Sequence, residues 1–455
     1  MNTINRRRFL VAGGAVGVAA LAGCLDDDPA DEPAEEAPEP DGEPDDDEPE
    51  DDEPDDDEPE DDEPTEDLPD PTDTETALIE PATLHEWQEA GLVNKDDPGE
   101  SHRVVILRID DWYPDDSAIQ SYEDGHVPGA APWYVDELHT GREEGLGVAA
   151  PMVANGEQID EALNRAGVCP RTTVVVSGTK PIRVARGYWT LRYWGFPRER
   201  VKILNGGYHA YGEEYDLETG QFDPLDVPQT TFSVEANEEL NNDLRVGIGQ
   251  MIQRVDNVIA GESDDVILEN RQDGDGDDAA APGTMISNAI WDNPLAVHEG
   301  DHHFDTFEAE GAYFKAPDEL QAHYDDLGVS PDDTVLTYCG SGYRAAVSFL
   351  VLDGILEYDD VMLYDGSWGQ WEQYAGDDVP EAWRVDEHDR TDGDLEAGDL
   401  ETTVDEIPDL DSPEANQLEA ADMDYMAGGE VDDDADVAGG ADDFACSIGR
   451  PAPTP

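Results

Sequence analysis

The chain repeats itself. Gly167-Val168-Cys169-Pro170 returns as Gly328-Val329-Ser330-Pro331, and Thr173-Val174 returns as Thr334-Val335. Both pairs lie 161 residues apart (167 to 328 and 173 to 334). Leu204-Asn205-Gly206-Gly207-Tyr208 finds its counterpart in Tyr364-Asp365-Gly366-Ser367-Trp368 at nearly that spacing. Self-similarity at a fixed offset means that one structural unit is used twice. Within each copy, β-branched runs (173–176, 201–204, 334–338, 361–364) alternate with stretches suited to helix. That alternation predicts two tandem α/β domains, each a mainly parallel sheet flanked by helices, over residues 77–225 and 235–385. Ligands of such sheets collect beyond the carboxyl ends of the strands, so a cleft is expected there, between the repeats.

The copies differ where chemistry is concerned. In the second, the run 334–338 stops at Cys339, passes Gly340-Ser341-Gly342-Tyr343-Arg344, and enters an apolar segment, 345–352, that suits a helix. A cysteine at such a turn has loop N–H groups converging on its sulfur and the positive end of a helix behind it, and both favour the thiolate. Arg344 adds a fixed cation for an anionic substrate. The plainer alternative is a buried cysteine in an ordinary strand-to-helix turn. In the first copy Gly178 stands 161 residues before Cys339, so that copy has no nucleophile.

Cys339 to Arg344 reads Cys-x-x-Gly-x-Arg, which resembles the active-site loop of the rhodanese (sulfurtransferase) family. Tyr364-Asp365-Gly366-Ser367-Trp368 with Trp371 resembles the family's Asp-Gly-Ser-Trp segment, and Ile267-Leu268-Glu269-Asn270-Arg271 its first strand, with Glu269 in place of Asp. The family's Gly-His-Ile-Pro-Gly-Ala signature is kept in the first copy as Gly125-His126-Val127-Pro128-Gly129-Ala130. In the second copy it is degraded to Gly283-Thr284-Met285-Ile286-Ser287-Asn288-Ala289. The resemblance covers roughly residues 77–385 and implies a tandem rhodanese, catalytic in its second repeat and inactive in its first. It also implies that the cysteine carries sulfane sulfur as a persulfide, with no cofactor or metal.

Segment 185–195 resembles the arginine- and tryptophan-rich helix of the family's first domain, whose first arginine contacts anionic donor. Arg186 is the candidate substrate ligand on that ground, with Arg183 and Arg192 behind it. Only 24 of 455 residues are Lys or Arg, and five of them fall between Lys180 and Arg198. The plain reading is that these cations pair with acids; His126 reads as a turn histidine.

Thiosulfate enzymes of the family often place a cation directly after the cysteine, while mercaptopyruvate enzymes continue Cys-Gly-Ser-Gly with Val-Thr. The loop here is a hybrid, Cys-Gly-Ser-Gly followed by Tyr343-Arg344. Thiosulfate is the expected donor, with cyanide or a thiol as acceptor, because an exported enzyme meets inorganic donors; 3-mercaptopyruvate is the runner-up. A non-catalytic rhodanese-like binding module would not need an intact cysteine loop. Phosphatases and arsenate reductases of related geometry have a wider loop.

The ends of the chain carry a different message. Asn5-Arg6-Arg7-Arg8-Phe9-Leu10 and the apolar stretch 11–23 match a twin-arginine export signal, and Leu21-Ala22-Gly23-Cys24 looks like a lipobox. Residues 1–24 thus read as a lipoprotein signal, with lipidation at Cys24 and the protein tethered to the outer face of the cell membrane. Residues 25–75, nearly all Asp, Glu and Pro, read as a disordered stalk, and 386–455 as a disordered acidic tail.

The net charge of −90 excludes nucleic acid as a partner and resembles proteins of salt-loving archaea. With that charge unscreened at low ionic strength, circular dichroism should show the fold loosening between molar and millimolar KCl. Unchanged spectra would count against it. The four cysteines make no disulfide framework: Cys24 is the anchor, Cys339 the nucleophile, and Cys169 and Cys446 have no assigned role. Asp301-His302-His303 lacks a second ligand pair for a metal.

Overall fold

The valine-rich runs become central strands. Thr173–Gly178 and Val201–Leu204 are buried at every residue, as expected of parallel strands covered on both faces. The computed structural model describes residues 68–95, 102–109, 116–224, 227–228, 230–273, 279–299, 313–391 and 417–428. The signal, Cys24, most of the stalk, Asp301-His302-His303 and Cys446 lie outside them.

The first half runs β1 (Leu78–Ile79), α1 (Pro81–Glu89), β2 (Val104–Ile109), α2 (Asp116–Asp124) and β3 (Ala130–Trp133). It continues with β4 (His139–Glu144), β5 (Gly147–Val153), α3 (Gly156–Arg165), β6 (Thr173–Gly178), α4 (Pro181–Tyr193), β7 (Val201–Leu204) and α5 (Gly207–Glu214). The second half runs β8 (Arg245–Val246), α6 (Ile248–Ala260), β9 (Val266–Glu269), β10 (Ile290–Trp291) and α7 (Pro317–Leu327). Then come β11 (Val335–Tyr338), α8 (Ala345–Phe349), β12 (Val361–Tyr364), α9 (Ser367–Trp371) and, after a gap, α10 (Gln417–Met426).

The first sheet has the order β1-β7-β6-β2-β3 and the second β8-β12-β11-β9-β10, every pair parallel. Strand for strand the two orders are the same, so the repeat seen in sequence is a repeat in topology. Both sheets belong to one compact unit. Among the described residues the first half alone adds an antiparallel hairpin, β4–β5.

One apolar cluster runs through both halves, joining Val176, Tyr188 and Trp189 to Val335, Val347 and Phe349. Each sheet has a further cluster on its other face. Burying each large side chain there stabilises the fold by about 1.5–3 kcal/mol. α4 lies against α8 and is buried at every position but Ile182, which carries its arginines into the interior. Arg192 and Arg198 meet there on Asp353, each at 3.0 Å, and Tyr188 donates to the same carboxylate at 2.6 Å. Burial alone would push Asp353 up; the two guanidiniums hold it below its ordinary value. Arg192, a candidate substrate ligand in the sequence, is instead an ion-pair partner between the halves.

Two acid-rich segments depart from expectation. The second half does not stop at 385: Arg390 is fully buried in a two-pronged pair with Asp256, both bonds 2.7 Å. The tail read as disordered also contains α10, which packs on β4 and α3. Its acids are drawn in by cations. Arg142 donates twice to Asp422 at 2.8 and 2.6 Å, and Leu418 joins the central core. Cys169 departs as well, being disulfide-bonded.

Candidate active site

β11 ends at Tyr338 and hands the chain to Cys339, which is 2% exposed and is the free cysteine of the described residues. The loop folds back so that the Ser341 N–H donates to Cys339 Sγ at 3.5 Å. Gly342 adopts φ +76°, a left-handed conformation open to glycine. A Cβ there would also stand 2.6 Å from Arg186 Nη1 and 3.1 Å from the Asp365 carbonyl. Close approach of the Cys339 loop to Arg186 thus requires the second glycine. Arg344 stands at the N-cap position of α8 without a side-chain capping bond, and α8 continues through a π-helical stretch, Leu350–Ile355, where the sequence predicted one helix.

The motif after β12 holds this loop from below. Cys339 N–H donates to Ser367 Oγ at 3.2 Å, and the Trp368 and Gly369 N–H groups donate to the carbonyls of Cys339 and Gly340. Ser367 sits at φ +51°, uncommon for a side-chain-bearing residue, and its Oγ donates in turn to the Tyr364 carbonyl at 2.8 Å. Glu269 and Arg271, the altered pair at the end of β9, bond to each other at 2.7 Å, and Arg271 lies 3.9 Å over the Trp368 ring.

Arg186 comes from the first half. It is fully buried, and its Nη2 bonds Asp365 Oδ1 at 2.7 Å. Its Nη1 and Nε have no hydrogen-bond partner among the described residues. It lies 4.4 Å over Trp189 and 5.4 Å over Tyr343. Burial would push the Asp365 carboxyl up, but Arg186 on one side and Arg245 on the other hold it below its ordinary value. Arg245, also buried, reaches Asp365 at 3.4 Å, Glu144 at 2.6 Å and Glu419 at 3.3 Å.

The hairpin β4–β5 closes the arrangement. Val153 N–H donates to Asp365 Oδ2 at 2.8 Å, and His139 Nδ1 lies 2.6 Å from the Tyr343 hydroxyl. Burial and then the charge of Arg186 push His139 below its ordinary value, so this ring is neutral at pH 7. Burial pushes the Tyr343 phenol up, so it too is neutral.

The structure therefore brings Cys339, Gly340, Ser341, Gly342, Tyr343, Arg344 and Arg186 into one region. His126 stands apart, stacked on Tyr122 with Nδ1 2.9 Å from its carbonyl. His139, Asp365, Arg245 and Glu144 carried no assigned role in the sequence. Asp365 had a signal, its place in the Asp-Gly-Ser-Trp segment; the other three had none. The first repeat is closed to the same chemistry by packing, because a Cβ at Gly178 would lie 2.5 Å from the Ile109 carbonyl oxygen.

Residues 299–374, which hold the Cys339 loop and the motif below it, match the family model described as the rhodanese-like domain. Curated relatives agree over a longer span. The chain is 26% identical to a protein of Haloferax volcanii assigned as a thiosulfate sulfurtransferase, over 64% of this chain and 93% of that one. It is 25% identical to the sulfur carrier protein TtuD of Thermus thermophilus, over 61% and 90%. It is 28% identical to the 3-mercaptopyruvate sulfurtransferase of Escherichia coli K12, over 56% and 84%. The crystal structure of SseA from Escherichia coli superposes on 64% of this chain and 99% of its own with a TM-score of 0.47 at 23% identity.

Proposed function

We propose that the chain is a sulfurtransferase that moves sulfane sulfur from thiosulfate to cyanide or a thiol through a persulfide on Cys339. The observation that carries this reading is Arg186, a buried guanidinium with two N–H-bearing nitrogens unpartnered among the described residues, set against Gly342 of the cysteine loop. A cation held in an apolar wall with donors to spare suits an anionic donor beside the sulfur nucleophile.

In the first half-reaction the Cys339 thiolate attacks the outer sulfur of thiosulfate. The S–S bond of the donor breaks, its electron pair leaves with sulfite, and the persulfide remains. In the second, cyanide attacks the outer sulfur of the persulfide. That S–S bond breaks toward Cys339, thiocyanate leaves and the thiolate is restored. The Ser341 N–H faces Sγ throughout and stabilises negative charge there.

One observation favours 3-mercaptopyruvate as the second reading. Breaking its C–S bond leaves an enolate that must take a proton, and the Tyr343 hydroxyl, paired with neutral His139, is a donor within the same region. The same proposal puts the enzyme outside the cell, tethered at Cys24, on the strength of the arginine signal and Leu21-Ala22-Gly23-Cys24.

Cyanide-dependent thiocyanate formation in molar KCl tests the reading with each donor in parallel. Turnover with thiosulfate above that with mercaptopyruvate is expected. The reverse order would transfer the assignment to the second reading. Silence with both donors, from protein with native circular dichroism, would end the sulfurtransferase reading.

A further inference from the structure

Behind Arg186 runs an enclosed line of charges that ends on the C-terminal helix. Arg186 Nη2 bonds Asp365 Oδ1 at 2.7 Å, Asp365 Oδ2 meets Arg245 Nε at 3.4 Å, and Arg245 Nη1 meets Glu419 Oε1 on α10 at 3.3 Å. Glu144 takes Arg245 Nη2 at 2.6 Å and accepts from Gln370 Nε2 at 3.1 Å. All five ionisable side chains are buried. Two guanidiniums thus face three carboxylates, an excess of one negative charge when all are ionised. Adding thiosulfate, a dianion, at Arg186 raises that excess from one negative charge to three in a region poorly screened by water.

We infer that Glu419 is a positioning residue for the cysteine pocket: through Arg245 and Asp365 it sets the charge behind Arg186, and binding of an anionic sulfur donor is accompanied by uptake of one proton at Glu419. This rests on the sulfurtransferase reading and adds a linkage to it. Among the acids of the line, Glu419 is the one poised to take the proton. Burial pushes it up to about 7 against the pull of Arg245, whereas Asp365 is held down between two guanidiniums.

The groups facing Glu419 leave it that role. Glu144 on β4 raises it, as does Asp422 one turn along α10, and Arg245 on β8 lowers it. Asp422 is engaged by Arg142 of β4 and by the Tyr193 hydroxyl of α4 at 2.8 Å. Asp160 of α3 accepts from Tyr425 at 2.6 Å, and Glu235 lies toward the far end of α10, near Gly428.

The sign follows from linkage. If the donor-bound form holds a proton that the free form releases above about pH 7, donor affinity falls as pH rises. With saturating cyanide in molar KCl, KM for thiosulfate should be flat below pH 6 and rise toward about tenfold per pH unit by pH 8–9. Glu419→Gln, which keeps the length and one acceptor oxygen, should flatten that rise and lower KM at pH 8 by about tenfold, with kcat moving much less. Glu419→Asp should restore the slope. Calorimetric titration of Cys339→Ser with thiosulfate, in buffers of different ionisation enthalpy at pH 7.5, should show protons taken up from buffer, and none with Glu419→Gln added.

A KM slope that persists in Glu419→Gln, or a variant that only melts earlier with its slope intact, makes Glu419 a brace and overturns the inference. If Glu419→Gln does not fold, absence of proton uptake by the Cys339→Ser protein does the same. Failure of the sulfurtransferase reading has a different signature, no thiocyanate from either donor with the wild-type chain.

Discussion

Replacing Cys339 by alanine should abolish thiocyanate formation, by about 10⁴-fold or more, while leaving the protein folded. No other described residue offers a free thiol, and the first repeat has Gly178 at the corresponding position with no room for a side chain. The sulfur is small and Cys339 sits in a loop braced by backbone bonds from Trp368 and Gly369, so its loss should cost about 1 kcal/mol of stability. Serine at the same position keeps the shape but cannot hold sulfane sulfur as a persulfide. Mass spectrometry after thiosulfate, without acceptor, should show one added sulfur on the wild-type chain and none on either variant. Turnover surviving in the alanine variant would remove Cys339 from the chemistry and return it to the role of a buried structural cysteine.

Asp365→Ala should be the most damaging change to stability around the site. It leaves two fully buried guanidiniums, Arg186 and Arg245, without the carboxylate they share, and strips the Val153 N–H of its acceptor. Breaking a buried pair from one side costs about 3–5 kcal/mol, and here one carboxylate serves two cations. Asp365→Asn should be milder, because an amide oxygen still accepts from Val153. The readout is the thermal midpoint in molar KCl. A shift of the alanine variant no larger than that of an exposed-acid control such as Asp377→Ala would show that water reaches these guanidiniums and that the line is not enclosed.

Much of the scaffold was legible because it is written in local pattern. The valine-rich run at 173–178 and the run ending at Tyr338 are strands, their alternation with helix makes parallel sheets, and the offset of 161 residues reappears as two sheets of one strand order. The Cys339 loop is legible for the same reason, since glycine at 342 answers a local demand for positive φ. What stayed hidden is pairing at a distance. The acids of 417–428 look like solvated tail until Arg142 and Arg245 are known to face them from β4 and β8. The sequence ranked Arg186 above Arg192 only by its place in a family-like helix; the fold sends one to Asp365 beside the cysteine and the other to Asp353 between the helices. His139 enters by way of a hairpin that the second repeat lacks among the described residues, so the repeat itself gave no hint of it.

The copy without a nucleophile is not dispensable. Its Arg186 and Arg192 find their counter-charges on Asp365 and Asp353 of the other copy, and its hairpin lends Glu144 to Arg245. Cutting the gene between the copies would leave guanidiniums and carboxylates unpaired on both sides and bare the apolar cluster that the halves share. The duplication is held together by this mutual indebtedness of charge. A half-length descendant would have to replace the unpartnered charges and cover the bared apolar face as well.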